Sequence, residues 1–151
     1  MDPNPIDDII AEGMELFADQ LRALEQEATA LTDRWLATPP DWYPLEMMDW
    51  SDRSLDALGD PLRGPAGPEI GREVSLFIGE GFIRNHGWSW TVARKPCLDP
   101  LMIIHSFGVL PPSHSQIEFP SGLLKNARDY PHLPFSTIVS LEDTAASADL
   151  V

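Results

Sequence analysis

The run from Pro68 to Arg94 changes its apolar period once, across a single glycine, and that change most constrains the fold. Ile70, Val74, Phe77, Ile78 and Phe82 recur at helical spacing, which predicts a helix with one apolar face. Pro68 suits the first helical position, and Glu69 and Glu73 complement the positive end of the helix dipole. Gly87 follows Asn85-His86 as a left-handed C-terminal cap. Beyond it Trp88, Trp90 and Val92 alternate with Ser89, Thr91 and Ala93, so the period becomes that of a strand. Gly71, Gly79 and Gly81 cost about 1 kcal/mol each relative to Ala in a helix. They therefore imply close approach of another helix or the sheet, the first helix being the obvious candidate, or a bend at Gly79-Glu80-Gly81.

That first helix is the clearest element of the chain. Asn4 can cap it, Pro5 occupies its first turn, and Asp7 and Asp8 match the dipole. Ile10, Met14, Phe17, Leu21, Leu24, Ala28, Leu31 and Trp35 keep 4-3 spacing up to the stop at Thr38-Pro39-Pro40. A helix over residues 4–37 would be on the order of 50 Å long. The seam has two readings: a core helix, straight or kinked, or a surface for a partner or a homodimer.

Residues 39–68 form a Pro/Gly-punctuated connector with a short helix expected over 51–58, capped by Ser51 or Asp49. Pro120 to Ala127 reads as a turn into another short helix. Strands are expected over Leu101–Phe107 and Gln116–Phe119, with a loop from Gly108 to Ser115. Pro134–Leu141 fits either a strand or a terminal helix. The expected class is α+β: a long N-terminal helix and a central helix packed on an antiparallel sheet of about three to four strands. Residues 1–141 are read as one domain and 142–151 as a flexible tail.

Charge limits the partners. Residues 1–60 hold fifteen acidic and three basic side chains, against nine and seven in 61–151. Nearly all of the net −14 therefore lies in the first two fifths of the chain. Nucleic acid is not expected as a direct ligand, because phosphate binding needs clustered Lys and Arg. A basic protein surface is, because such a field speeds encounter. Two sets of residues are candidates for that contact. Asp41, Trp42, Tyr43, Glu46, Asp49, Trp50 and Asp52 form an acidic, aromatic stretch of the connector. Glu12, Glu15, Asp19 and Glu25 lie on the first helix. No apolar run reaches membrane-span length and no leader pattern opens the chain, so a cytoplasmic protein without membrane contact is expected. Cys97 alone permits no intrachain disulfide.

Catalytic signals are weak. Cys97 could pair with His105 or His114 and Asp99, but it lacks the helix N-terminus and basic flank that activate a thiol, apart from Lys95. His86, His105, His114 and His132 have no metal-ligand spacing. Glu80 is either a general base or the i+4 partner of Arg84. The expected assignment is no catalytic residue, no cofactor and no metal.

Ile78-Gly79-Glu80, Gly87-Trp88-Ser89-Trp90, and Pro120 with Leu124 and Lys125 carry a resemblance. They are similar to small bacterial domains in which a helix leads through G-x-x-W to an antiparallel meander and a proline-to-lysine segment. The likeness covers about sixty residues and leaves out the long N-terminal helix. Most of that class has no known function, and some members resemble immunity proteins of bacterial toxin systems. The resemblance implies an α+β fold and a non-catalytic immunity or antitoxin role, with a toxin or effector as the basic partner. A chaperone for a secreted effector and a small hydrolase or metal enzyme are the alternatives.

Overall fold

A computed structural model describes residues 5–95 and 104–139. In chain order it contains α1 (Pro5–Ala37), α2 (Asp52–Arg63), α3 (Gly67–His86), β1 (Ser89–Lys95), β2 (Ile104–Leu110) and α4 (Pro120–Asp129). Residues 135–139 add one further helical stretch, which resolves the ambiguous terminal segment in favour of helix. The chain is thus α+β. Cys97, Asp99, residues 101–103 of the expected second strand and the tail lie outside the described residues.

α1 rests on two different supports. Its regular geometry breaks at Phe17 (φ −132°, ψ 24°). Ahead of the break, Gly13 lies so close to β1 that an added Cβ would stand 2.2 Å from the Val92 carbonyl oxygen. Beyond it, Leu21, Leu24, Ala28, Leu31 and Trp35 are buried, while Met14 remains 37% exposed. This later stretch runs along α3, where Arg72 reaches Glu27 and Arg84 reaches Asp33. The Arg72 hydrogen bond holds the Glu27 carboxyl below its ordinary range despite some burial. From Leu21 onward the heptad seam is therefore core.

Ser51 caps α2 by accepting from the Ser54 amide, and Asp49 braces that cap by accepting from the Ser51 N–H and hydroxyl. The helix runs past the expected end at 58 to Arg63, because Leu62 continues the buried face of Leu55 and Leu58. Pro61 lies in the last turn of α2 and brings no N–H for the Ala57 carbonyl, and the helix ends two residues later. α2 then anchors α4 and the segment beyond it. Arg63 donates through Nε to the Ala127 carbonyl (2.7 Å) and through Nη2 to that of Leu133 (2.7 Å). Asp56 accepts from the Ser136 amide at 2.9 Å.

Because one guanidinium satisfies two carbonyls of separate segments, Arg63→Ala is expected to cost about 2–3 kcal/mol. Arg63→Lys should recover less than half of that, since an ammonium lacks the fork. Denaturant midpoints of the two variants check this, and equal stability of Lys and Arg at the site would refute it.

Among the described residues the sheet has two strands, and the three to four expected are not seen. β1 and β2 pair antiparallel from Ser89↔Leu110 to Lys95↔Ile104. The expected third strand contributes one bridge, Val109↔Glu118, closed by two hydrogen bonds of 2.8 and 3.0 Å. Pro111-Pro112 and Pro120 bracket this return and remove the donors that a longer ladder needs. Glycine at 108 is required by the same return. A Cβ there would meet Ile117 Cγ2 at 2.8 Å and the Glu118 oxygen at 2.9 Å. Gly108 consequently belongs to the strand, not to the expected loop.

Thr91, Val92 and Ala93 of β1 are all buried, with α1 lying against the strand backbone at Gly13 and α3 receiving Trp90 at Gly79. Gly87 caps α3 in the left-handed region (φ 71°), as its position demanded.

Candidate functional site

The connector separates into a packed half and an open half. Trp42 lies edge-on to Trp35 at 5.6 Å and is half-buried. Tyr43 and Met48 are buried in the core. The Tyr43 hydroxyl donates to the Ser54 carbonyl (3.1 Å) and lies 2.7 Å from Ser54 Oγ, which accepts from the Asp49 amide. Burial pushes the Tyr43 phenol above its ordinary value, against the effect of the Ser54 hydrogen bond and with a small addition from Asp49. It stays protonated and serves packing.

Trp50 stacks on Phe77 at 4.8 Å and 17° and donates its Nε1–H to the Phe77 carbonyl at 2.9 Å. That carbonyl also lies opposite Gly81 in the helical ladder. The indole reaches it only because Gly81 has no side chain: a Cβ would stand 2.6 Å from Trp50 Cδ1. Gly79 does the same for Trp90, whose Cη2 would be 2.1 Å from a Cβ. The two glycines are thus seats for indoles: Gly79 for one from the sheet, an expected neighbour, and Gly81 for one from the connector, neither for α1. Gly71 differs again, with Leu124 Cδ1 at an ordinary 3.8 Å.

The connector leaves an acidic surface outside. Asp41, Glu46 and Asp52 are exposed, Asp49 is half-buried, and Met47 is 75% exposed. Asp41, Glu46 and Asp52 have no ion pair among the described residues. A shallow groove of about 560 Å³ runs between Leu45, Met47, Asp49 and Arg53. Across the ridge formed by Asp49 to Asp52 lies a second cleft of about 140 Å³. It is bounded by Trp50, Asp52 and Leu55 on one side and by Gly81, Asn85 and His86 on the other. Asn85, His86 and Arg53 are not among the residues that the sequence marks for partner contact, since they carry no signal there beyond their residue types.

The carboxylates of α1 stand apart from this surface. Glu15, Asp19 and Glu25 are exposed, and Asp19 pairs with Arg22. At ~1.5 Å per residue, Asp19 and Glu25 lie roughly 20–30 Å along α1 from the point where the connector begins. Glu12 is half-buried and turns its Oε2 to within 3.7 Å of His105 Nε2. His114 similarly holds Asp7 at 2.9 Å. These two pairs fasten the first stretch of α1 against β2 and the segment after it.

Glu80 is a scaffold residue. It is 3% exposed and accepts from Trp90 Nε1 at 2.9 Å and from Arg84 Nε at 3.0 Å. Among the described residues no three His, Cys, Asp or Glu side chains converge to hold a metal ion, and no helix is long and apolar enough to cross a membrane.

No family model matches the chain, and neither a curated protein nor a solved structure matches it.

Proposed function

We propose that this chain is a non-catalytic binding domain that docks on a basic protein surface and masks it, in the manner of an immunity protein or antitoxin. One observation carries the reading: Asp41, Glu46 and Asp52 are exposed without an ion pair among the described residues, on the same packed connector that exposes Met47. Unpaired carboxylates on a rigid support give up no internal ion pair when a cationic surface arrives, and they steer its approach. Met47 adds exposed apolar area beside Glu46, of the kind interfaces commonly use. Tyr43 and Trp50 support the surface from beneath and contribute rigidity.

The test is capture of the cognate partner from native lysate by wild type and by the Asp41→Asn, Glu46→Gln, Asp52→Asn triple variant. Wild-type retention should fall steeply as salt rises. The triple variant should associate about tenfold more slowly, with a flattened salt dependence. Retention indifferent both to salt and to the three substitutions would end this reading.

A further inference from the structure

The cleft beside the connector has a size and lining that the docking surface alone does not explain. At about 140 Å³ it is well below the ~300–1,000 Å³ usual for cofactors and small-molecule ligands. It holds one long side chain. Its floor is apolar, made by the buried Leu55 and by Trp50 where Gly81 lets the indole sit against α3. Its rim is polar: the exposed Asp52 carboxylate on one lip, with the Asn85 amide and the His86 imidazole on the other. His86 is the only basic group among the described residues that line it.

We propose that this cleft receives an arginine side chain of the partner, which makes it the specificity pocket of the acidic surface. The inference rests on the docking reading and adds what part of the partner enters. An apolar floor with an anionic rim suits an amphipathic side chain, whose methylenes lie on apolar surface while its charge stays at the edge. Arginine fits better than lysine, because a planar guanidinium both stacks on an indole and presents parallel N–H donors to a carboxylate and an amide oxygen. Asp52 supplies that carboxylate and Asn85 that amide. Asp52 has no ion pair among the described residues, so it is available to the arriving cation.

The experiment titrates N-acetyl-argininamide into the full chain at low salt and about pH 8, where imidazoles in general are neutral. Amide and indole resonances are followed by NMR. Saturable shifts are expected at Gly81, at the Asn85 side chain and at the Trp50 indole, with a dissociation constant of order 1 mM. Asp52→Asn, a change at an exposed position, should weaken binding about tenfold and leave resonances elsewhere unmoved. The neutral citrulline analogue should not bind, and the lysine analogue should bind more weakly. Equal binding of citrulline or lysine, or shifts absent from the cleft, would overturn the proposal. Shifts confined to Asp41 and Glu46 would also remove the pocket while leaving the docking surface standing. Arginine binding here without any salt-sensitive partner would do the reverse.

Discussion

Gly81→Ala is expected to destabilise this protein by about 2 kcal/mol, although the same change in an exposed helix gains about 1. The reason lies in the indole beneath it. A methyl group at this position would stand 2.6 Å from Trp50 Cδ1 and 2.7 Å from its Nε1. The ring cannot slide away cheaply, since it is stacked on Phe77 and donates to the Phe77 carbonyl. Moving it gives up the stack, the hydrogen bond and the packing together. Gly71→Ala is the control on the same helix. Its new methyl meets only Leu124 Cδ1 at 3.8 Å, so the propensity gain survives and stability should rise by up to about 1 kcal/mol. Denaturant melts of the two variants should therefore move in opposite directions. For a chain of this length the Gly81→Ala melting temperature should drop by about 4–8 °C. A rise in both variants would show that the indole yields freely and that the seat is not a constraint.

The glycine pattern also marks how far the sequence could be read. That Gly79 and Gly81 needed a steric reason was visible from their cost in a helix, and the sheet was one expected neighbour, but α1, the favoured one, is not what faces them. The two indoles come from residues 50 and 90, on either side of the helix in the chain, and no periodicity links them to it. Faces of regular elements were legible because spacing assigns them, as with Leu21 to Trp35. A kink was among the expected forms of α1, but its place at Phe17 was not legible, since the seam stays apolar through it while the support underneath changes from strand to helix. In the connector there is no period at all. Composition flagged the segment but could not separate buried Tyr43 and Met48 from exposed Asp41 and Met47. The third strand failed for a related reason: Gln116 to Phe119 has strand-like residues, but pairing length is set by the prolines on either side. The cleft needed all three dimensions, because its two lips belong to the start of α2 and the end of α3.

Glu80→Leu should cost about 3 kcal/mol, and Glu80→Gln about half of that. The carboxylate is the shared acceptor for two donors that cannot easily find another: the Trp90 indole N–H and the Arg84 Nε–H. Leucine fills the space and leaves both donors unmatched, the circumstance in which breaking a buried pair is most expensive. Two features keep the cost near the lower end of that range. The Arg84 side chain is 28% exposed, and its Nη1 keeps Asp33 at 2.9 Å. Burial works against the Arg84 charge, but its hydrogen bonds to Glu80 and Asp33 hold its pKa above the usual value, so the cation persists. Glutamine offers Trp90 an oxygen but turns its NH₂ toward the guanidinium, which explains an intermediate loss. Adding Arg84→Met to Glu80→Leu should restore part of the stability, because it removes the Nε–H donor that lost its acceptor. Equal losses for leucine and glutamine would mean that the acceptor is irrelevant and only the volume counts. The glutamine variant also separates scaffold from surface. Glu80 is buried under Trp90, so its neutralisation should leave partner association and its salt dependence unchanged. Neutralising Asp41, Glu46 and Asp52 should instead slow association at little cost to stability. Carboxylates of one chain then fall into two groups by what faces them: those that already hold a cation inside the fold, and those still open to one from outside.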